Sequence, residues 1–131
     1  MLNNWKWISV LAMAAATVAC GGGGDTSARG AIAVNTSTGK GAIVIGYTSR
    51  AEASSDAVDK CARISGAGCI TVLEFSDNGT CGSAAWSGNE KIWGAASAGS
   101  KEEADSRAMS RCIAKGGTSC EIPDWLETQC N

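Results

Sequence analysis

Apolar and polar positions along this chain follow two rhythms, and the pair recurs. Residues 30–36 and 41–47 are apolar and rich in β-branched side chains, with the turn signal Ser37-Thr38-Gly39-Lys40 between them, so they predict a β-hairpin. After Ser49 the period lengthens. Ala53, Ala57, Val58 and Cys61 share one helical face and leave the charged residues on the other. Ser49 and Glu52 carry the S-x-x-E pattern of a capping box, which gives partners to N–H groups orphaned at a helix start. Gly66 and Gly68 end the helix, and Cys69 to Phe75 reads as a third strand.

The same order then returns. Residues 82–87 and 91–97 flank Gly88-Asn89-Glu90, Ser100 and Glu103 repeat the capping box, and Ala104, Ala108, Met109 and Cys112 repeat the apolar stripe. Ser49-Arg50-Ala51-Glu52-Ala53 aligns with Ser100-Lys101-Glu102-Glu103-Ala104 at an offset of 51, and Lys60/Arg111, Cys61/Cys112 and Cys69/Cys120 keep that register. Gly116 and Gly117 stop the second helix, and a last strand is expected from Cys120 to about Leu126, with Pro123 arguing for an edge position or a bulge. The fold class is therefore α+β: two ββαβ pseudo-repeats, unit one over 29–78 and unit two over 79–131, forming an antiparallel-rich sheet with two helices. A buried helix face made mostly of Ala lets each helix lie close against its strands.

The first residues read as an address. Trp7 to Ala19 is a 13-residue apolar run after the lone charge Lys6, too short to span a membrane, which takes roughly 20 residues, and suited to the core of a signal peptide over 1–19. Thr17-Val18-Ala19-Cys20 followed by Gly21 to Gly24 is similar to a bacterial lipobox and tether. This implies lipidation at Cys20, a tether over 20–28 and membrane contact through the lipid anchor alone. Cleavage at Ala14-Ala15-Ala16 with plain secretion is the competing expectation. The localisation expected is the bacterial cell envelope, on the outer membrane or facing the periplasm.

Of seven Cys, Cys20 leaves an even six: Cys61, Cys69, Cys81, Cys112, Cys120 and Cys130. In an exported domain of this size that count reads as three disulfides. The repeat favours Cys61–Cys69 and Cys112–Cys120 inside each unit, with Cys81–Cys130 tying unit two to the terminus; crossed pairs between the helices are the rival. A zinc site is disfavoured because the chain has no C-x-x-C and no His.

Gly30-Ala31-Ile32-Ala33-Val34, Gly46-Tyr47, Ala51-Glu52-Ala53 with Ala57 and Cys61, Cys69 with Val72 and Phe75, and Cys81-Gly82-Ser83-Ala84-Ala85 together resemble the bacterial family called domain of unknown function 4189. Trp93-Gly94 and the second Ala/Cys helix extend the likeness over about residues 29–130. The resemblance implies a small secreted or envelope domain, with no activity or catalytic residue attached.

A net charge of −2 with 11 scattered basic residues gives no nucleic-acid footprint. The lack of His removes the usual general base and metal ligand. Glu74, Glu102, Glu103 and Asp105 are the carboxylates left for acid–base work, but their spacing does not place two across a cleft. Asp77-Asn78-Gly79 lacks the dense ligand spacing of a calcium loop. No catalytic residue, cofactor or metal is expected. Trp86 and Trp93 are read as volume-filling core residues in a core short of large side chains, while Trp125 and Tyr47 are the candidate binding surface. The functional expectation is an envelope-anchored, non-catalytic binding module, of the inhibitor or immunity type toward a secreted protein. The alternative is a structural lipoprotein contacting peptidoglycan or another cell-wall glycan, and an unrecognised hydrolase stands third.

Overall fold

A computed structural model describes residues 27–131. The signal peptide, Cys20 and the Gly21–Gly24 run lie outside the described residues. Unit one contains β1 (Arg29–Asn35), β2 (Gly41–Tyr47), α1 (Arg50–Ser65) and β3 (Cys69–Ser76); unit two contains β4 (Cys81–Ser87), β5 (Ile92–Ala98) and α2 (Lys101–Ala114), followed by β6 (Cys120–Glu121) and β7 (Gln129–Cys130). The domain is α+β. Its strands form two antiparallel sheets instead of one, ordered β2-β1-β3 and β5-β4-β6, with β7 also on β4. Ser49 and Ser100 cap the helices, each side chain accepting the backbone N–H three residues on.

Alternation along the strands explains why two sheets form. Ala31, Ala33, Ala42 and Val44 face α1, whereas Ile32, Val34 and Ile43 face the other sheet. In unit two, Ala85 and Ala96 face α2, while Ala84, Trp86 and Trp93 face inward. Both faces of both sheets are thus covered, in the layer order α1, first sheet, second sheet, α2. Trp86 and Trp93 are buried, their rings 4.8 Å apart, and Trp93 Nε1 donates to Asn35 O at 3.2 Å, so each indole fills the space between the sheets. Phe75 inserts between the sheets. A Cβ on Gly30 or on Gly82 would lie 2.3 Å from its ring, so the corresponding glycines of β1 and β4 make room for one aromatic.

Disulfides join Cys61 to Cys69, Cys112 to Cys120 and Cys81 to Cys130, the symmetric set that the repeat favours. They indicate an oxidising, extracytoplasmic compartment. Among the described residues no helix is long and apolar enough to cross a membrane.

The last strand departs from expectation. Pairing with β4 covers only Cys120 and Glu121, stops, and resumes at Gln129 and Cys130. Pro123 has no N–H to offer the ladder, and its buried ring begins a turn closed by Leu126 N–H on Pro123 O at 3.0 Å. Because β6 is so short, α2 lies mainly over β5 and β4, whereas α1 is centred on β1.

That shift brings α2 alongside the outer edge of β5. Arg107 donates to Ser97 O at 3.2 Å, Arg111 to Ala95 O at 2.6 Å and Lys115 to Trp93 O at 2.9 Å. Cations four residues apart on a helix meet carbonyls two residues apart on a strand, and the edge is sealed.

Glu90 clamps the β4–β5 turn to the loop after α2. It accepts from Ser87 Oγ at 2.6 Å, from Thr118 N–H at 3.0 Å and from Thr118 Oγ1. These bonds, Ser87's first, hold its carboxyl below the usual range. A depressed carboxyl stabilises the fold above its unfolded value, and the contribution disappears as pH falls through the lower folded value. Replacing Glu90 with Gln is therefore expected to flatten the acid limb of the stability–pH curve, followed by urea unfolding from neutral pH to about 2. An unchanged acid limb would remove Glu90 from that role.

Candidate binding site

The turn at Pro123 decides what the rest of the terminal segment does. Leu126 drops into the core between the sheets, which leaves its neighbour Trp125 outside, 52% exposed. Exposure does not leave the indole loose. Its Nε1 donates to Gly39 O at 2.9 Å, and Lys40 Nζ sits 4.6 Å from the ring centroid on one face. Further along, Thr128 Oγ1 bonds Ser83 Oγ at 3.0 Å and also Asp105, and Ser83 Oγ donates to Asp105 at 2.7 Å. Cys130 then ties the segment to Cys81. Trp125 is thus presented by a strap fastened at both ends.

Beside this strap runs a groove of about 560 Å³. Its floor is the outer edge of β2 at Gly41, Ala42, Ile43 and Ile45, one wall is Asp124, Trp125, Leu126 and Glu127, and the opposite wall is Lys60, Arg63 and Ile64 of α1. Ile64 is 60% exposed and Ile45 37%, so the groove carries apolar surface besides the indole. Its charges are segregated, basic on the helix wall and acidic on the strap.

Tyr47 does not share this groove. It lines a shallow depression with Ala51, Glu52, Ser55, Asp56 and Asp59 on α1, and its hydroxyl donates to Asp56. That hydrogen bond is the main cause of two opposite shifts: the phenol is raised, and the Asp56 carboxyl is lowered, with Lys60 at 3.3 Å adding to the second. The pair supports folding between the two ranges. Its Asp56 share is lost as pH falls through the lowered carboxyl value, and its Tyr47 share as pH rises through the raised phenol value. Tyr47→Phe is expected to lower stability within this window and to converge with the wild type beyond both ends, flattening the two limbs, as measured by thermal unfolding across pH. Equal stability of the two forms inside the window would show that the bond contributes nothing.

The carboxylates singled out from the sequence are dispersed. Glu74 pairs with Arg50 at 3.1 Å and Glu103 with Arg107 at 2.6 Å, while Glu102 stands exposed in the first turn of α2. Asp105, half-buried, accepts from the fully buried Ser83 and lines a separate pocket with Lys101, Asp124, Glu127 and Thr128. Among the described residues no group of three or more His, Cys, Asp or Glu side chains could hold a metal ion.

Of the two candidate binding residues, the structure places Trp125 in a groove and commits the hydroxyl of Tyr47 to the fold. Ile45, Arg63 and Ile64 were not singled out from the sequence. Ile64 carried a signal, since the 51-residue offset aligns it with Lys115, a replacement of a cation by an apolar residue on an exposed face. A family described as Domain of unknown function (DUF4189) matches residues 30–126. No curated protein and no solved structure matches the chain.

Proposed function

Since the chain belongs to the DUF4189 family, which carries no assigned chemistry, we propose from its own surface that it is a non-catalytic binding module recognising a partner protein through the Trp125 groove. The observation that carries this reading is the fixed, half-exposed indole at the rim of a groove with apolar and charged walls. Trp is a favoured anchor in protein interfaces, and an anchor already held by Gly39 O, Lys40 and the Cys81–Cys130 disulfide loses little freedom on binding. In this reading the signal over 1–19 directs export, and a lipid on Cys20 then holds the domain at the bacterial envelope. A small scaffold stapled in this way suits an inhibitor or immunity-type partner of a secreted protein.

The glycan-binding alternative draws less support. Sugar recognition by an indole uses its open face, and Lys40 covers one face of Trp125 while Tyr47 turns its hydroxyl to Asp56.

The test is capture from envelope and secreted fractions with the oxidised full chain, alongside a Trp125→Ala variant. One protein retained by the wild type is expected to be lost by the variant, with about a tenfold or greater drop in affinity and little change in thermal stability. A hydrolase whose activity falls on binding would identify the inhibitor class. Sedimentation of both forms with purified cell wall, with no protein retained, would move the function to the glycan reading.

A further inference from the structure

The duplication allows one edge strand to be compared with another in the same molecule. β2 and β5 occupy the same place in their units, each an outer strand paired to a central one. At the 51-residue offset Arg107 and Arg111 of α2 and Lys115 at its C-cap correspond to Asp56, Lys60 and Ile64 of α1. These three cations bond the outer carbonyls of β5. On α1, Lys60 turns to Asp56, Asp56 accepts from Tyr47, and Ile64 has no polar group to offer. The first unit lacks the seal that the second has.

The hairpin register shows which groups remain open. Asn35 N–H donates to Lys40 O at 2.8 Å, and in an antiparallel ladder bonded and non-bonded pairs alternate. Gly41 opposite Val34 and Ile43 opposite Ile32 are then non-bonded pairs, so their N–H and C=O groups point away from β1, on the side of the groove that both residues line, Gly41 buried at its floor and Ile43 half-buried. Ala95 opposite Ala84 occupies the same phase in unit two, and its carbonyl does point outward, to Arg111. The β2 edge is closed at both ends, by the Trp125 indole on Gly39 O and by the Asn131 side chain on Gly46 N–H. Between them, among the described residues, nothing bonds Gly41 or Ile43 on that side. A bulge interrupts β3, the other outer strand of this sheet, near its middle at Val72; the bulge of β2 falls at its end, at Ile45–Gly46.

We propose that this edge takes up an extended segment of a partner protein as an added strand, with acidic side chains at alternate positions facing Lys60 and Arg63. The proposal rests on the groove reading above and names its mode. Main-chain bonds to Gly41 and Ile43 supply attachment, and alternate side chains supply selection. One face of the incoming strand meets the α1 wall, where Arg63 has no ion-pair partner among the described residues. The other face meets Trp125, Asp124 and Glu127, and accepts apolar or basic side chains. A second copy of this chain fits poorly. Two β2 edges paired about a two-fold axis set Lys60 and Arg63 against their own counterparts, and Asp124 and Glu127 against theirs.

The test uses the oxidised full chain, labelled for amide exchange, and the blocked peptide acetyl-Glu-Val-Glu-Val-Glu-Lys-amide. Two further peptides carry N-methyl groups on alternate residues, one on the Glu set and one on the Val/Lys set. Exchange at Gly41 and Ile43 is expected to slow about tenfold or more at saturation. Only one of the two methylated peptides should lose binding, because only one set of amides faces β2, and Arg63→Glu should weaken the parent peptide several-fold. Equal binding of both methylated peptides, no binding of the parent, or unchanged exchange at those amides overturns strand addition. Slowed exchange without peptide, together with a dimer in sedimentation, overturns it in favour of self-pairing. In each of those cases capture that still depends on Trp125 leaves the binding-module reading standing, whereas loss of that dependence removes it as well.

Discussion

Gly94→Ala is expected to destabilise the protein by about 3 kcal/mol, lowering Tm on the order of 10–20 °C. A Cβ on Gly94 would lie 2.3 Å from Cys112 N and 2.6 Å from Ala108 O. Both atoms belong to the α2 backbone, so no side chain can swing aside to relieve the clash. Either the helix retreats from β5, stretching the three cation–carbonyl bonds, or β5 bends away from β4. Cys112 is also tied to Cys120, which restricts the first route. Gly99→Ala is the internal control. Nothing lies within 4 Å of its added Cβ, so its effect should stay within about 0.5 kcal/mol. Thermal or urea unfolding of the two variants side by side decides the matter. Equal stabilities would show that α2 does not rest on the β5 backbone as described.

Replacing Cys81 and Cys130 together with Ala is expected to cost about 4 kcal/mol in the chain-entropy account, because this disulfide closes the longest loop, at a sequence separation of 49. Removing Cys61 and Cys69, with a separation of 8, should cost a little under 3 kcal/mol by the same reasoning. The long bridge also has a local effect that the short ones lack. It is the covalent fastening at the far end of the strap carrying Trp125; without it that end is held by non-covalent contacts alone, the β7 pairing with β4, the Asn131 hydrogen bonds, Thr128 and Leu126. Partner capture by this double variant should therefore weaken under conditions where the domain is still folded by circular dichroism. The Cys61/Cys69 double variant should keep capture until it unfolds. If both variants bind like the wild type while folded, the disulfide does not organise the strap.

Much of this architecture is legible in the sequence alone. The capping residues Ser49 and Ser100, the Ala stripes and the glycine stops lie in short stretches of chain, where local physics decides the outcome. Repetition favours the symmetric cysteine pairing that the structure shows, without removing crossed pairs between the helices as a rival. The split of the last strand was half visible, since Pro123 warned of an interruption but did not say that pairing with β4 would resume at Gln129. Two stacked sheets were harder to foresee. Whether the inward faces of β1 and β4 meet depends on the Phe75 ring lying over its strand neighbour Gly30 and finding Gly82 in the other sheet, a long-range match with no local signature. Trp125 stood out by residue type, whereas the role of Ile64 becomes visible only once β5 shows what Lys115 does at the corresponding place.

The three cations along β5 bear on how far association can go. Were the Trp93, Ala95 and Ser97 carbonyls bare, each molecule would display two unlike strand edges. The β5 edge of one copy could then meet the β2 edge of the next. A head-to-tail contact of that kind does not close on itself, and repetition produces a filament. Arg107, Arg111 and Lys115 act as chain terminators for such growth. A strand received at β2 makes a finite pair, because β5 offers no corresponding template at which the next molecule could be recruited.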